Sequence, residues 1–467
     1  MDTLDKKLQH ALQEIFPGDA CLFDPAECLA YGYDNSRRQA MPQAVVLPTT
    51  REQVQKLVHV CREFNTPIIA RGRGTNTTGA SVPIEGGIVV SFERMNRILE
   101  IRVGDRVAIV EPGVLNGDLQ SALKPLGLFW PPDPTSAAYS SIGGNLACNA
   151  GGPRAVKYGA TRDNVLAVTA ITGTGHLVQC GAAVTKSSSG YDLSRLLIGS
   201  EGTLGLIIEA SLKLSALPVQ RQILRALYHD VESAALAVAS IMSQPVIPSM
   251  LEFLDGECVR LVREQAGVDL VSCGAMLIIE ADGDTETLRH ALSALELVAR
   301  NEGCIEIRSA RHQDEIDELL AARKALSPLL RTIRSGKINE DVVVPVSQVP
   351  ALCRKIASIA VDVSLKIVCF GHIGNGNIHV NILYDKEDKS ETERANIAMS
   401  QVFTCTVELG GQLSGEHGIG IAKRDFMTHA IDAPTLDLMR NIKRCMDPLG
   451  ILNPGKVLPH ESSIIRT

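Results

Sequence analysis

Three glycine-rich stretches hold most of the side chains in this sequence that could do chemistry. In CFGHIGNGNIHVNILYD, His372 and His379 stand on either side of GNGN, a turn signal between two apolar runs. The two imidazoles are therefore predicted on opposite arms of a hairpin or tight loop, able to face each other. His379 and Asn381 alternate along one strand and so share a face. Downstream, SGEHGIGIAK presents Glu416 and His417 in a glycine-flanked loop predicted to open a helix. Two imidazoles and a carboxylate that converge make a three-ligand divalent site with a coordination position left open, the catalytic rather than the structural pattern. The plainer alternative is that each histidine is a hydrogen-bonded core or loop residue.

The third stretch, RGRGTNTTGASVP, follows the apolar run PIIAR. Arg71, Gly72, Gly74, Thr75, Asn76, Thr77, Thr78 and Gly79 form a loop in which backbone N–H groups and hydroxyls can converge on an anion. It is not the dinucleotide fingerprint, because no glycine falls three after Gly74 and the strand-like GIVVSF follows in place of a helix. No G-x-x-x-x-G-K-[ST] is present either. Taken alone, the loop is also readable as a plain tight turn.

The elements that must position these residues follow from periodicity. AVVLP at 44–48 reads as a strand. TTREQVQKLVHVCREFN reads as a helix with a threonine cap and an apolar face through Val54, Leu57, Val58 and Val60–Cys61. PIIAR and GIVVSF are strands on either side of the loop, and a long Gly/Ala/Ser/Asn tract from 133 to 160 lets another body approach the backbone closely. After GLIIEASLKLSALP the texture changes: strands and helices alternate with one face polar, as in an α+β domain whose largely antiparallel sheet is covered on one side. We place a first domain at 1–219, a second at 220–410 and a C-terminal segment at 411–467.

Composition bounds the rest. With 467 residues, 45% of them apolar and 21% charged, the chain is an ordinary globular protein of several domains. A net charge of −7 argues against a nucleic-acid partner. Twelve cysteines without a single C-x-x-C pair suit buried thiols in a reducing cytosol, and exclude an iron–sulfur or zinc-ribbon pattern. The N-terminus lacks a signal-peptide pattern, and no uncharged apolar run approaches the roughly 18 residues needed to cross a bilayer. A cytoplasmic protein is expected, at most peripheral to a membrane through a partner.

The tract from EPGVLNGDLQ through PPDPTSAAYSSIGGNLACNAGGPRAVKYGATRDNVLAV, the run SGYDLSRLLIGSEGTLGLIIEASLKL and the closing DPLGILNPGKVLP together resemble the FAD-linked oxidases of the vanillyl-alcohol oxidase type. The resemblance covers almost the whole chain. It points to the branch containing the glycolate oxidase flavin subunit, D-lactate dehydrogenase and D-2-hydroxyglutarate dehydrogenase. It implies an α+β architecture: a two-subdomain FAD-binding domain, a substrate domain with an antiparallel sheet, and a C-terminal helical segment returning to the flavin. It further implies that Arg71, Gly72, Gly74, Thr75, Asn76 and Thr77 hold the FAD pyrophosphate, that Pro134, Thr135, Gly143, Gly144 and Asn149 line the flavin, and that Gly202, Ile207 and Asn453 contact the cofactor. Some relatives attach FAD through His or Cys; the loop offers neither, so non-covalent FAD is expected.

The motifs GHxGxGNxHxN and EHGxG look like the metal and substrate motifs of the D-2-hydroxyacid dehydrogenases, which carries over His372, His379 and Glu416 as ligands, with zinc ahead of manganese or iron. His417 is the expected base. Arg323 and Lys337 fall where the family's carboxylate-binding cations appear, Ser327 shares a helical face with Arg323, and Asn381 joins them as substrate-binding. The expected reaction is oxidation of a small D-2-hydroxy acid (D-lactate, D-2-hydroxyglutarate or glycolate) by hydride transfer to FAD. Electrons would then pass to a separate acceptor, whether a quinone-linked partner, an electron-transfer flavoprotein or a cytochrome; a homodimer is left open. The alternatives are an auxiliary flavin subunit of a glycolate oxidase-like complex, and a flavin-free zinc hydrolase that would leave the loop at 71–79 without a task.

Overall fold

The computed structural model describes residues 4–266, 270–310 and 313–460. The chain divides into two units, one formed by 1–151, 159–217 and 416–467, the other by 152–158 and 218–415.

In the first unit, a four-stranded sheet runs in the order Cys21–Leu22, Ala44–Val46, Ile88–Ser91, Ile68–Arg71. Ile88–Ser91 pairs in parallel with both of its neighbours. A parallel pair needs a long crossover, and residues 72–87 supply it without a helix, so their backbone must find partners other than a helical ladder. The predicted helix forms as Arg51–Glu63, closed by a capping box between Thr50 and Gln53. It buries Val54, Leu57, Val58 and Cys61 against the sheet. A second sheet is entirely antiparallel, in the order Ile98–Arg102, Val107–Val110, Leu206–Lys213, Val165–Ile171, Leu177–Gly181.

The second unit is built on a seven-stranded antiparallel sheet: Cys304–Ser309, Gln220–Tyr228, Ala275–Gly283, Met250–Asp255, Lys366–Gly371, Asn377–Tyr384, Gly336–Val343. The sheet expected to be covered on one side is covered on both. Met250, Leu254, Met276 and Ile278 pack with Cys258 and Val262 of helix Gly256–Ala266 and with Leu326 and Leu330 of helix Gln313–Ile333. Leu251, Phe253, Leu277 and Ile279, of opposite parity, are equally buried. The central strands MLEFLD and AMLIIEADG are near-continuous apolar runs with two acids each, the mark of a strand buried on both faces.

Helix Ala155–Tyr158 belongs to this unit, with Lys157 paired to Asp282 and the Tyr158 hydroxyl donating to Asp282 Oδ2 at 2.7 Å. Glu416 and His417 do not open a helix. Gly418 and Gly420 adopt left-handed backbone conformations (φ 82° and 51°), and the next helical turn starts at Arg424. Among the described residues no helix is long and apolar enough to cross a membrane.

Candidate active site

Strand register gathers several polar residues of the second unit on one sheet face. Asp341 lies opposite His379, Asn339 opposite Asn381 and Lys337 opposite Leu383. Directly opposed residues share a face. His379 opposes Phe370 on its other neighbour, and Leu254 also opposes Phe370, so Glu252, of the same parity as Leu254, faces the same way. The predicted hairpin forms: Lys366–Gly371 returns through the turn Ile373–Asn375 and Gly376 (φ 72°) into Asn377–Tyr384. His372 ends the first arm. Its ring centre is 5.2 Å from that of His379, near-perpendicular, with a nitrogen of each within 4.8 Å of the other.

Each imidazole has a buried acid behind it. Glu252 is 1% exposed; its Oε1 meets His372 Nδ1 and its Oε2 accepts Arg323 Nε at 2.7 Å. Burial pushes the Glu252 carboxyl up, but His372 and the Arg323 guanidinium beside it outweigh that and hold the group below the usual carboxylate range. As an acceptor it places the proton of His372 on Nδ1, which makes Nε2 the atom a metal would take, the arrangement of a metal-binding histidine. Asp341, fully buried, accepts Asn377 Nδ2 at 2.6 Å and both Ser414 Oγ and Gly415 N at 3.0 Å, with His379 Nδ1 3.5 Å away. The segment 412–415 is thereby stitched to strand Gly336–Val343, and Glu416 and His417 are the next two residues. Sequence reasoning missed Glu252 and Asp341; an acid inside the apolar run MLEFLD was the available signal for the first, whereas Asp341, beside Glu340 in the mixed strand GKINEDVV, carried none.

The predicted substrate residues fare differently. Arg323 stacks over Phe370 (4.5 Å) and spends Nε on Glu252, while its terminal NH2 groups make no hydrogen bond among the described residues. A fork of donors therefore remains for a carboxylate. Lys337 is half-buried on the shared face. The side chain of Ser327 lies outside the described residues. Asn381 is fully buried and its Nδ2 donates to Val368 O and His379 O, both at 3.2 Å, which braces the hairpin.

In the first unit, no hydrogen bond within the described residues uses the backbone N–H groups of Arg73 to Thr77, five consecutive donors in a half-buried loop. That fits an anionic pyrophosphate. Several side chains assigned to the cofactor have intramolecular roles. The Arg71 guanidinium turns inward, donating to Tyr33 O at 2.7 Å and Ala30 O at 3.2 Å. Asn76 accepts Thr78 N and Thr78 Oγ1 at 2.8 Å and donates to His417 O at 3.0 Å. Gly74 has φ 66°, and a Cβ there would fall 2.3 Å from the Arg71 guanidinium; one on Gly72 would meet Ser141 Oγ at 2.4 Å.

Gly143 is required by Pro112, 2.6 Å from its would-be Cβ, while Gly144 donates its N–H to the cap Ser141. Asn149 ends a helix at φ 50° and accepts Arg162 N at 2.9 Å; Asn453 Nδ2 donates to Ala80 O and Glu201 O. Ile207 belongs to an apolar core, Gly202 adopts φ 73°, and a turn begins at half-buried Pro134 and exposed Thr135. One cysteine missed by looking only inside the loop is brought to it: Cys148 Sγ accepts Asn76 Nδ2 at 3.3 Å. Burial pushes that thiol up to about 12, which keeps it neutral and unreactive.

Comparison with known proteins adds the family. Residues 42–181 match an FAD binding domain, and residues 217–457 match the C-terminal domain of FAD linked oxidases. The chain is 37% identical to a glycolate oxidase subunit GlcD of Bacillus subtilis (93% of each chain) and 34% identical to a D-lactate dehydrogenase of Anaerostipes hadrus (98% and 97%). It is 32% identical to a D-2-hydroxyglutarate dehydrogenase of Stutzerimonas stutzeri (97% and 99%). Among solved structures, a p-cresol methylhydroxylase matches with a TM-score of 0.80 at 18% identity over 97% of this chain and 96% of that one, which shows a common fold.

Proposed function

The chain belongs to the FAD-linked oxidases, and from that premise we propose that it oxidises a small D-2-hydroxy acid to the 2-oxo acid. The observation that carries the reading is the pair of imidazoles, His372 and His379, each backed by a buried carboxylate, in a chain whose glycine loop keeps five N–H donors for an anionic cofactor. When bound, FAD supplies the two-electron acceptor and a divalent ion, zinc before manganese or iron, supplies Lewis acidity toward a hydroxyl.

The chain's own residues divide the remaining work. His372, held as the Nδ1–H tautomer by Glu252, offers Nε2, and His379 and Glu416 complete the ligand set. His417 takes the proton of the substrate hydroxyl as hydride leaves C2, which balances the loss of two electrons and two hydrogens from the CH–OH group. Arg323 receives the substrate carboxylate, with Lys337 serving the same group or a second, distal carboxylate. Use of both cations favours D-2-hydroxyglutarate or D-malate, and use of one favours D-lactate or glycolate.

Purified protein is expected to be yellow. Rates with D- and L-lactate, glycolate and D-2-hydroxyglutarate, with a dye and then oxygen as acceptor, test the reading, and preference for an L-isomer would overturn it. A second reading is supported by the relatives called glycolate oxidase subunits: the chain is the flavin subunit of a larger complex. Dehydrogenase activity of the isolated chain decides whether it needs that company.

A further inference from the structure

The motif GSEGTLG carries an acid that neither the cofactor loop nor the histidine pair explains. Glu201 is 5% exposed and its backbone lies in the left-handed region (φ 52°), a conformation unfavourable for any residue with a Cβ. Its side chain enters the turn just after His417. Ile419 N donates to Oε1 at 2.7 Å and Gly420 N to Oε2 at 2.8 Å. Successive N–H groups closing on an anion form a nest, filled here by the chain's own carboxylate.

The glycines of that turn have no substitute. A Cβ on Gly418 (φ 82°) would fall 2.7 Å from Glu201 Oε1, and one on Gly420 (φ 51°) would fall 2.4 Å from Thr78 O. Glu201 is itself fixed, because Asn453 Nδ2 donates to its carbonyl at 2.6 Å and to Ala80 O at 2.8 Å. On the other side of the turn, His417 O accepts Asn76 Nδ2 at 3.0 Å. Beyond it, Ile421 N and Ala422 N donate to Thr78 O at 2.9 and 3.1 Å.

We propose that Glu201 is a positioning residue: its carboxylate, seated in the 418–420 turn, sets the direction in which His417 projects. The inference rests on the reading of His417 as the base. A glycine-rich turn has many conformations of similar energy, and the glutamate selects one of them by giving two otherwise unpartnered N–H groups an acceptor. Lys456 and Lys423, both buried, keep positive charge near that carboxylate, which makes its burial tolerable.

The test is a double-mutant cycle on flavin-loaded enzyme at pH 8, with D-2-hydroxy acid and an artificial acceptor. Glu201→Gln preserves shape but offers an acceptor to only one of Ile419 N and Gly420 N. It is expected to lower kcat by about 10- to 100-fold, the scale of a misplaced reacting group, with KM and FAD content near wild type. In a His417→Ala background the same change is expected to cost less than about twofold, because Glu201 acts through that imidazole.

An equal cost in both backgrounds, or a Glu201→Gln enzyme within about twofold of wild type, overturns the inference alone. A His417→Ala enzyme at wild-type rate overturns the base assignment and this inference together. Should the glutamine variant fail to load flavin, Glu201→Asp, which keeps the charge but withdraws it by about 1.5 Å, carries the same cycle with the same outcomes.

Discussion

Glu252 ties together a cation and an imidazole that lie far from it in sequence, and removing it is expected to be felt in two separate assays. Glu252→Ala leaves Arg323, whose side chain is 12% exposed, beside His372 without the carboxylate both of them use. Breaking a buried pair from one side costs about 3–5 kcal/mol, and for a unit of this size each kcal/mol lowers the melting temperature by about 2–4 °C. A loss of about 10 °C in the metal-free protein follows. Glu252→Gln separates charge from shape. Its carbonyl can still accept Arg323 Nε, but its NH2 then faces His372 Nδ1 and favours the tautomer with the proton on Nε2, which cannot bind a metal. The glutamine variant is therefore expected to melt closer to wild type yet bind zinc about 10- to 100-fold more weakly. Thermal denaturation of the metal-free proteins and calorimetric titration with zinc measure the two effects. An alanine variant within about 1 kcal/mol of wild type, or a glutamine variant with unchanged zinc affinity, would refute the reasoning.

Glu201 makes stability depend on pH in a direction that can be worked out. Burial raises its carboxyl from 4.5 to about 7, so folding favours the protonated form; the stability this confers is complete below pH 4.5 and lost as pH rises through 7. The span corresponds to about 3 kcal/mol, and denaturant curves at pH 5 and 8 for wild type and Glu201→Gln are expected to diverge by that order, with parallel behaviour counting against it. Gly74→Val places a branched side chain at φ 66° against the Arg71 guanidinium, and is expected to yield folded protein with most of its FAD lost, read from the visible spectrum; full flavin content would clear the loop of that role. Acid precipitation is expected to release all flavin into the supernatant, since the one cysteine beside the loop is held neutral, and flavin retained in the pellet would overturn non-covalent binding. Stripping metal with a chelator is expected to abolish turnover while leaving the protein yellow, with recovery on adding zinc; indifference to the chelator would remove the metal from the mechanism.

What the sequence determined by itself was short-range. The threonine and glutamine that cap Arg51–Glu63, the GNGN turn that brings His372 back toward His379, and the strand that feeds the glycine loop are each encoded within a dozen residues, where periodicity and turn chemistry act. Long motifs also carried the family, because the order of several glycine patterns survives where individual contacts do not.

Tertiary structure decided what those signals face. Glu252 lies 120 residues from His372 and reaches it only because Met250–Asp255 pairs with Lys366–Gly371; Asp341 backs His379 only because of one register, and a shift by a single residue would turn it to the opposite face. The same holds for Arg71 and Asn76, read as ligands of the cofactor. Their hydrogen-bonding capacity was evident, but whether it would be spent on a ligand or on Tyr33, Thr78 and His417 depended on which distant backbone groups packed beside them. A buried polar group must be satisfied by whatever its surroundings supply, and those surroundings exist only once the chain has folded.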